Sequence, residues 1–332
     1  MLTRTPWVGS RATIKGFPSQ WLRQCYSAAA ISQQEKQRQL PVIDFFDPEL
    51  SRPPHHYLLH CGVAGFPKAD KIIDMPNDDN IYTSKQVGDD AYFQRNDALG
   101  VADGVGGWRS HTGANPALYS RKLMHYAQVE LDRIKTNVRP VHLAPADPNP
   151  IDIMDNAFHL TTLDAQNEIS SYVFVYFQGI VGSTTACIVL LCQDELRIAN
   201  LGDCGISVIR QNNYVFRSEE QQHSFNFPYQ LGTASFDSPT DAQQFTVKVQ
   251  DGDLMILASD GLFDNLYDEE IMEEIETCLQ DQAPEADLPA QAIADALAFR
   301  AKVGGKADDI TVLVALIKRD ETPNVPTPPP LP

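Results

Sequence analysis

Acidic residues are all but missing from the first 40 positions of this chain. Glu35 stands alone there against six basic residues, Arg4, Arg11, Lys15, Arg23, Lys36 and Arg38. No uninterrupted apolar stretch accompanies them, which excludes a secretory signal. Cysteine is also sparse. Cys25, Cys61, Cys187, Cys192, Cys204 and Cys278 make no CxxC pair and no Cys/His spacing of the zinc-finger kind. A chain of 332 residues does not need a disulfide framework, so these read as free thiols in a reducing compartment. No internal repeat is present. Only one stretch lacks charge for long enough to span a bilayer, from Ser170 to Gln193. Gln178, Gly179, Gly182, Ser183, Thr184 and Thr185 interrupt it, and its Val, Ile, Tyr and Phe content favours strands. It reads as two strands, Tyr172–Phe177 and Thr184–Leu191, and no integral membrane segment is expected.

What is present is acid. The net charge is −18, and outside the first 40 residues 20 basic residues face 43 acidic ones, a net of −23. Such a body repels a phosphate backbone, which argues against a nucleic-acid partner, and it suits a protein that concentrates divalent cations.

The two ends differ from the body. The basic leader, residues 1–40, has the composition of a mitochondrial transit peptide addressed to the matrix. Arg4, Arg11 and Lys15 fall near one face of a helix, although Pro6 and Pro18 interrupt it. Arg23 lies just before Tyr26-Ser27-Ala28, a region suited to processing. A plain disordered tail is the other reading. At the far end, residues 320–332 carry Pro323, Pro326, Pro328, Pro329, Pro330 and Pro332. That run supplies neither ladder donors nor a helix and is expected to be extended and disordered. One large domain is left, residues 55–319.

Strand-like runs in the body are Tyr57–Val63, Ala91–Phe93, Leu99–Ala102, Leu196–Asn200, Gly205–Arg210, Tyr214–Arg217, Phe245–Val249, Leu254–Ala258 and Ile310–Ile317. Gln211-Asn212-Asn213 and Asp251-Gly252 read as hairpin turns between adjacent runs. Links this short forbid parallel crossovers, so the sheet is expected to be largely antiparallel. Helical stripes recur at Leu123/Ala127/Leu131/Ile134, Met154/Ala157/Phe158/Thr161, Ile271/Ile275/Leu279 and Ala290/Ile293/Leu297/Ala301, with Asp268 as an N-cap for the third. Strands followed by helix pairs, without βαβ alternation, imply an α+β layered domain.

The informative pattern is where aspartates sit. Leu99–Ala102 runs into Asp103-Gly104, and Leu254–Ser259 into Asp260-Gly261. Asp308-Asp309 precedes Ile310–Val314, and Asp89-Asp90 opens Ala91–Phe93. Carboxylates at the ends of buried strands are costly unless neutralised, and few Lys or Arg residues are near in sequence. An all-oxygen set of this kind selects Mg²⁺, Mn²⁺ or Ca²⁺ over zinc. The glycines after Asp103 and Asp260 allow tight turns and let a main-chain carbonyl approach an ion. Each Asp-Gly taken singly also reads as an ordinary turn.

At these residues the chain resembles the protein phosphatase 2C (PPM) family, from about Cys61 to Lys318. The ordered elements are Gly88-Asp89-Asp90-Ala91, Val101-Ala102-Asp103-Gly104-Val105-Gly106-Gly107-Trp108, Gly182-Ser183-Thr184-Thr185-Ala186, Asn200-Leu201-Gly202-Asp203-Cys204, Ala258-Ser259-Asp260-Gly261-Leu262 and Asp308-Asp309-Ile310-Thr311. The forms of the second element and of Phe227-Pro228-Tyr229-Gln230-Leu231-Gly232 are most similar to the mitochondrial PTC-seven-like branch.

The resemblance implies a central antiparallel β-sandwich flanked by helix pairs. It also implies a monomeric protein serine/threonine phosphatase acting on phosphoproteins, with two Mg²⁺ or Mn²⁺ ions and in-line attack by a water held between them. Asp103 would bridge the ions, the Gly104 carbonyl would bind one, Asp260 and Asp308 would hold the other, and Asp89 and Asp90 would contact ions or their waters. Two positions depart from the family pattern. Val105 stands where many members carry a histidine proposed as general acid; His111 is near in sequence but reads first as an ordinary surface residue. Lys85 stands where an arginine grips phosphate, and lysine lacks the bidentate fork. Asp309 would stand behind the metal ligands, and Asp203 is expected to orient its own turn. A non-catalytic phosphoprotein-binding module and another two-metal phosphoesterase, such as a nuclease, are the competing readings.

Overall fold

The computed structural model describes residues 57–68, 81–110, 114–136, 148–167, 181–233, 235–280 and 290–320. The leader, residues 321–332, Tyr172–Phe177 and His111 lie outside the described residues.

Two antiparallel sheets form the centre. Strands β1 (Tyr57–Phe66), β15 (Ile310–Arg319), β14 (Leu254–Ala258), β8 (Gly205–Arg210) and β9 (Asn213–Arg217) make the first, in that spatial order. The second runs β13 (Gln243–Lys248), β7 (Glu195–Leu201), β6 (Ala186–Cys192), β4 (Ala98–Ala102), β3 (Asp90–Gln94) and β2 (Lys85–Val87). Their facing sides close a core that includes Leu99, Val101 and Val189 from one sheet with Ile206, Met255, Leu257 and Leu313 from the other.

Helices cover both outer faces. Helices α1 (Pro116–Thr136) and α2 (Pro150–Asn167) lay Leu123, Met124, Ala127, Ile153 and Met154 against the second sheet. After the one-turn helix α3 (Asp260–Phe263), helices α4 (Asp268–Gln280) and α5 (Ala290–Gly304) lay Ile271, Ile275, Ile293 and Leu297 against the first. Double coverage explains why Leu254–Ala258 and Ala98–Ala102 are buried at every position rather than at alternate ones. The helical stripes hold except at their ends, where Ile134 and Leu279 are exposed. Each fully buried Leu or Ile adds roughly 1.5–3 kcal/mol, so Leu257→Ala would cost about 2–5 kcal/mol through the cavity it leaves.

Of the two expected hairpins one holds. Gln211 and Asn212, with φ of 47° and 58°, link β8 to its partner β9 in a two-residue left-handed turn. Asp251-Gly252 does not close a hairpin. It carries the chain from β13 in the second sheet to β14 in the first. The stretch Thr184–Leu191 lies in β5 (Ser183–Thr184) and β6. No helix among the described residues is long and apolar enough to cross a membrane.

Candidate metal centre and catalytic cleft

The acidic strand ends converge where the two sheets meet. Asp103 follows β4, Asp203 follows β7, Asp260 follows β14 and Asp308 precedes β15, and all four line one cleft of about 890 Å³. Gly104, Val105, Trp108, Lys68, Lys306, His223, Phe227, Gln230, Phe236 and Asp237 are among the residues that complete its walls. The Asp103 and Asp260 carboxyls, both ligands expected from sequence, lie close enough to interact directly. Lys306 Nζ bridges Asp260 at 3.5 Å and Asp308 at 3.3 Å.

Asp90 lies beneath, fully buried. Ser259 Oγ donates to its Oδ2 at 2.7 Å, and Ser259 in turn accepts the Thr311 N–H at 3.1 Å. Asp89 is also fully buried, and its main chain ties the site together. Its carbonyl accepts the Gly104 N–H at 3.2 Å, and its N–H donates to Asp309 Oδ2 at 3.0 Å. Asp309 Oδ1 takes the Lys68 N–H at 2.7 Å, so this residue clamps two loops behind the cleft. Gly88 is forced by that clamp: its φ is +62°, and a Cβ there would stand 1.9 Å from Asp309 Oδ1. At Gly104 and Gly261 φ is not positive; close packing is the reason for glycine. A Cβ on Gly104 would meet the Asp89 carbonyl at 2.6 Å, and one on Gly261 the Asp309 carbonyl at 2.0 Å.

The electrostatics are those of crowded acid. Burial first, and neighbouring carboxylates second, push Asp90, Asp103 and Asp260 above the usual carboxylate range. Asp203 is pushed up to about 7 by burial and then by the charge of Asp260. Asp90 Oδ1, Asp203 Oδ1 and Asp260 Oδ1 are buried oxygens without hydrogen-bond partners. Orphaned, all-oxygen, mutually repelling donors fit hard divalent cations. Among the described residues no three acidic, imidazole or thiol groups close around a single point.

Three features were not anticipated. Asp203, expected only to orient its turn, belongs to the acidic cluster. Lys306 is its internal counter-ion: burial works against its charge, but Asp264, Asp260 and Asp308 outweigh this and hold the ammonium above its usual range. Lys85 stands exposed at the start of β2, paired with Tyr92, and is not among the cleft-lining residues; the cations that line it are Lys68 and Lys306. Only the proximity of Lys306 to Asp308 in sequence could have signalled this.

Antiparallel sheets back to back, helices outside and an acidic cleft between strand ends find counterparts among known proteins. Residues 133–318 match the Stage II sporulation protein E family. The protein phosphatase PTC7 homologue of Homo sapiens is 35% identical over 69% of this chain and 79% of its own length. The probable protein phosphatase 2C 80 of Arabidopsis thaliana is 34% identical over 69% of this chain, which spans only 54% of that relative. Among solved structures, the photosystem II phosphatase PBCP superposes with a TM-score of 0.58 at 28% identity, covering 78% of this chain and 99% of that one. The catalytic domain of the serine/threonine phosphatase PstP, solved with two manganese ions, shares the fold with a TM-score of 0.52 at 18% identity, covering 79% and 100%. The chain belongs to the protein phosphatase 2C (PPM) family.

Proposed function

We propose that the chain is a metal-dependent protein serine/threonine phosphatase, hydrolysing phosphoserine and phosphothreonine in proteins. The convergence of Asp103, Asp260 and Asp308 on one cleft, with buried carboxylate oxygens left unpartnered, carries this reading. Asp103, the Gly104 carbonyl, Asp260 and Asp308 would hold two Mg²⁺ or Mn²⁺ ions, with Asp90 and Asp89 behind them. Such ions, when bound, offset the charge of phosphoryl oxygens and make water a stronger nucleophile. The chain's own groups do the rest. Lys68 and Lys306 present ammonium groups to an incoming phosphate. Ser259 holds the Asp90 carboxylate in place. Val105 contributes no proton. Phe227 and Phe236 line the cleft while 50% and 101% exposed, an apolar rim that suits a protein substrate better than a small one. We further propose a monomer with residues 55–319 as the catalytic domain, located in the mitochondrial matrix on the strength of the basic leader, whose single acid is Glu35.

The test is phosphate release from a phosphoserine peptide in Mn²⁺ or Mg²⁺. Chelation with EDTA should abolish it, and Asp103→Asn and Asp260→Asn should do the same in folded protein. Undiminished turnover in both variants would falsify the assignment of these ligands. Tight peptide binding with no turnover in any divalent metal would favour the non-catalytic module instead.

A further inference from the structure

A phosphoserine ester leaves as an alkoxide, a poor leaving group unless a proton reaches its oxygen as the bond breaks. The cleft offers few donors for that proton. Asp103, Asp260 and Asp308 of its floor are ion ligands in the reading above, Asp203 interacts with Asp260 in that same acidic floor, Val105 has no proton to give, and Lys68 and Lys306 are paired with Asp308. Among the described residues one imidazole lines the cleft, that of His223 on strand β10 (Gln222–Ser224).

His223 is built in. Its Nε2 lies 2.9 Å and 3.1 Å from the two carboxylate oxygens of Asp237. Its ring stacks on Tyr229 with centroids 3.8 Å apart and planes 15° from parallel. The Asp237 side chain is only 7% exposed and is itself held: the Gln230 N–H donates to its Oδ2 at 3.0 Å and Ser235 Oγ at 3.4 Å. Gln230 Oε1 accepts Ser183 Oγ–H, and Ser183 Oγ accepts Trp108 Nε1–H at 2.6 Å. The pair is therefore fastened to the loop that carries Asp103. A buried carboxylate that fixes one nitrogen of an imidazole leaves the other to exchange protons, the arrangement of an oriented acid–base group. With Nε2 turned to the Asp237 carboxylate, Nδ1 is the ring nitrogen left to exchange a proton with the cleft.

We propose that His223, oriented by Asp237, is the catalytic acid that protonates the leaving serine or threonine oxygen. This rests on the phosphatase reading above. In the step, the water oxygen bonds to phosphorus as the phosphorus–serine oxygen bond breaks. The bonding pair stays on the serine oxygen, which takes the Nδ1 proton of the His223 imidazolium. The water's two protons remain on the new phosphate, which sheds one to solvent as the imidazole takes one back. A phosphomonoester dianion and water thus become an alcohol and hydrogen phosphate.

The test compares a phosphoserine peptide with p-nitrophenyl phosphate, whose phenolate leaves without protonation, using the full chain and Mn²⁺. His223→Gln is expected to lower kcat on the peptide by ~100-fold or more but on the aryl ester by less than about tenfold. Asp237→Asn, which keeps the shape of the side chain but replaces one acceptor oxygen by a donor, is expected to show the same selectivity with a smaller ratio, and it decides the matter alone if His223→Gln does not fold. Equal losses on both esters would make the pair a clasp for the segment and overturn the proposal, as would no loss on either. A wild-type chain that releases phosphate from neither ester overturns the phosphatase reading, and this proposal with it.

Discussion

Strip the protein of divalent cations and its stability should fall as pH rises from about 4 to about 7, the reverse of ordinary acid denaturation. Asp203 supplies the magnitude. Its carboxyl is pushed up to about 7 in the fold, against about 3.9 in an unfolded chain. Between those values the native state binds more protons than the unfolded one, so stability is full below the unfolded value and is lost as pH climbs through the folded one. About three units correspond to ~4 kcal/mol for this one group. Asp90, Asp103 and Asp260 are shifted in the same direction by burial and by one another, and because they share those repulsions their contributions overlap rather than add.

Other groups do not cancel the slope. For Asp97 and Glu195 burial pushes upward, yet Arg95 on the one, and Arg197 with Lys248 on the other, outweigh it and leave both below the usual range. They titrate beneath the window. His125, lowered by burial, works the opposite way, but it is one group against four. About two of the three units at Asp203 lie between pH 5 and pH 8, or ~2.6 kcal/mol. At roughly 2–4 °C per kcal/mol for a domain of this size, the EDTA-treated protein should melt about 5–10 °C lower at pH 8 than at pH 5. Saturating Mg²⁺ should raise Tm far more at pH 8 than at pH 5, since the ligands must be ionised to bind it. Thermal melts in EDTA and in Mg²⁺ at both pH values decide the matter. A metal-free Tm that rises toward pH 8, or a Mg²⁺ shift equal at both, would refute the reasoning.

Asp103→Asn and Asp260→Asn should each cut phosphate release by on the order of 10³-fold, while their Tm in EDTA at pH 8 rises, because each removes a charge from a self-repelling set. Gly88→Ala should cost about 2–4 kcal/mol in urea unfolding, from the left-handed backbone and from displacing Asp309 off the two N–H groups it accepts. Lys306→Met should lower the metal-free Tm at pH 8 and enlarge the rise on adding Mg²⁺, since Lys306 neutralises Asp260, Asp264 and Asp308 until cations replace it; an unchanged Mg²⁺ response would refute that role.

What was legible in the sequence follows from what is local. An apolar strand followed at once by Asp fixes the carboxylate at a strand end, and the chain direction alone puts Asp103 and Asp260 there. The spacing of Ile271, Ile275, Ile293 and Leu297 fixes two helix faces in the same way. Sheet membership is not local. Leu254–Ala258 is buried on both faces, so it carries no alternation to say which sheet it joins, and Asp251-Gly252 reads as a hairpin although it crosses between sheets.

The same distinction explains why the unanticipated residues cluster in one place. The segment from β10 to Asp237 is made of strands of two or three residues, β10, β11 (Phe227–Pro228) and β12 (Leu231–Gly232), too short for any periodicity to register. Its order comes from single contacts across 14 and 47 residues, His223 to Asp237 and Ser183 to Gln230, which no window along the chain contains. Lys306 and Asp203 are hidden for a related reason: each is ordinary beside its sequence neighbours and acquires meaning only against carboxylates from other strands. The proposed metal ligands are written into strand ends, where burial is forced by the fold. His223 and Asp237, proposed to act on the leaving oxygen, sit on a wall with little core of its own, and there the sequence specifies partners rather than patterns.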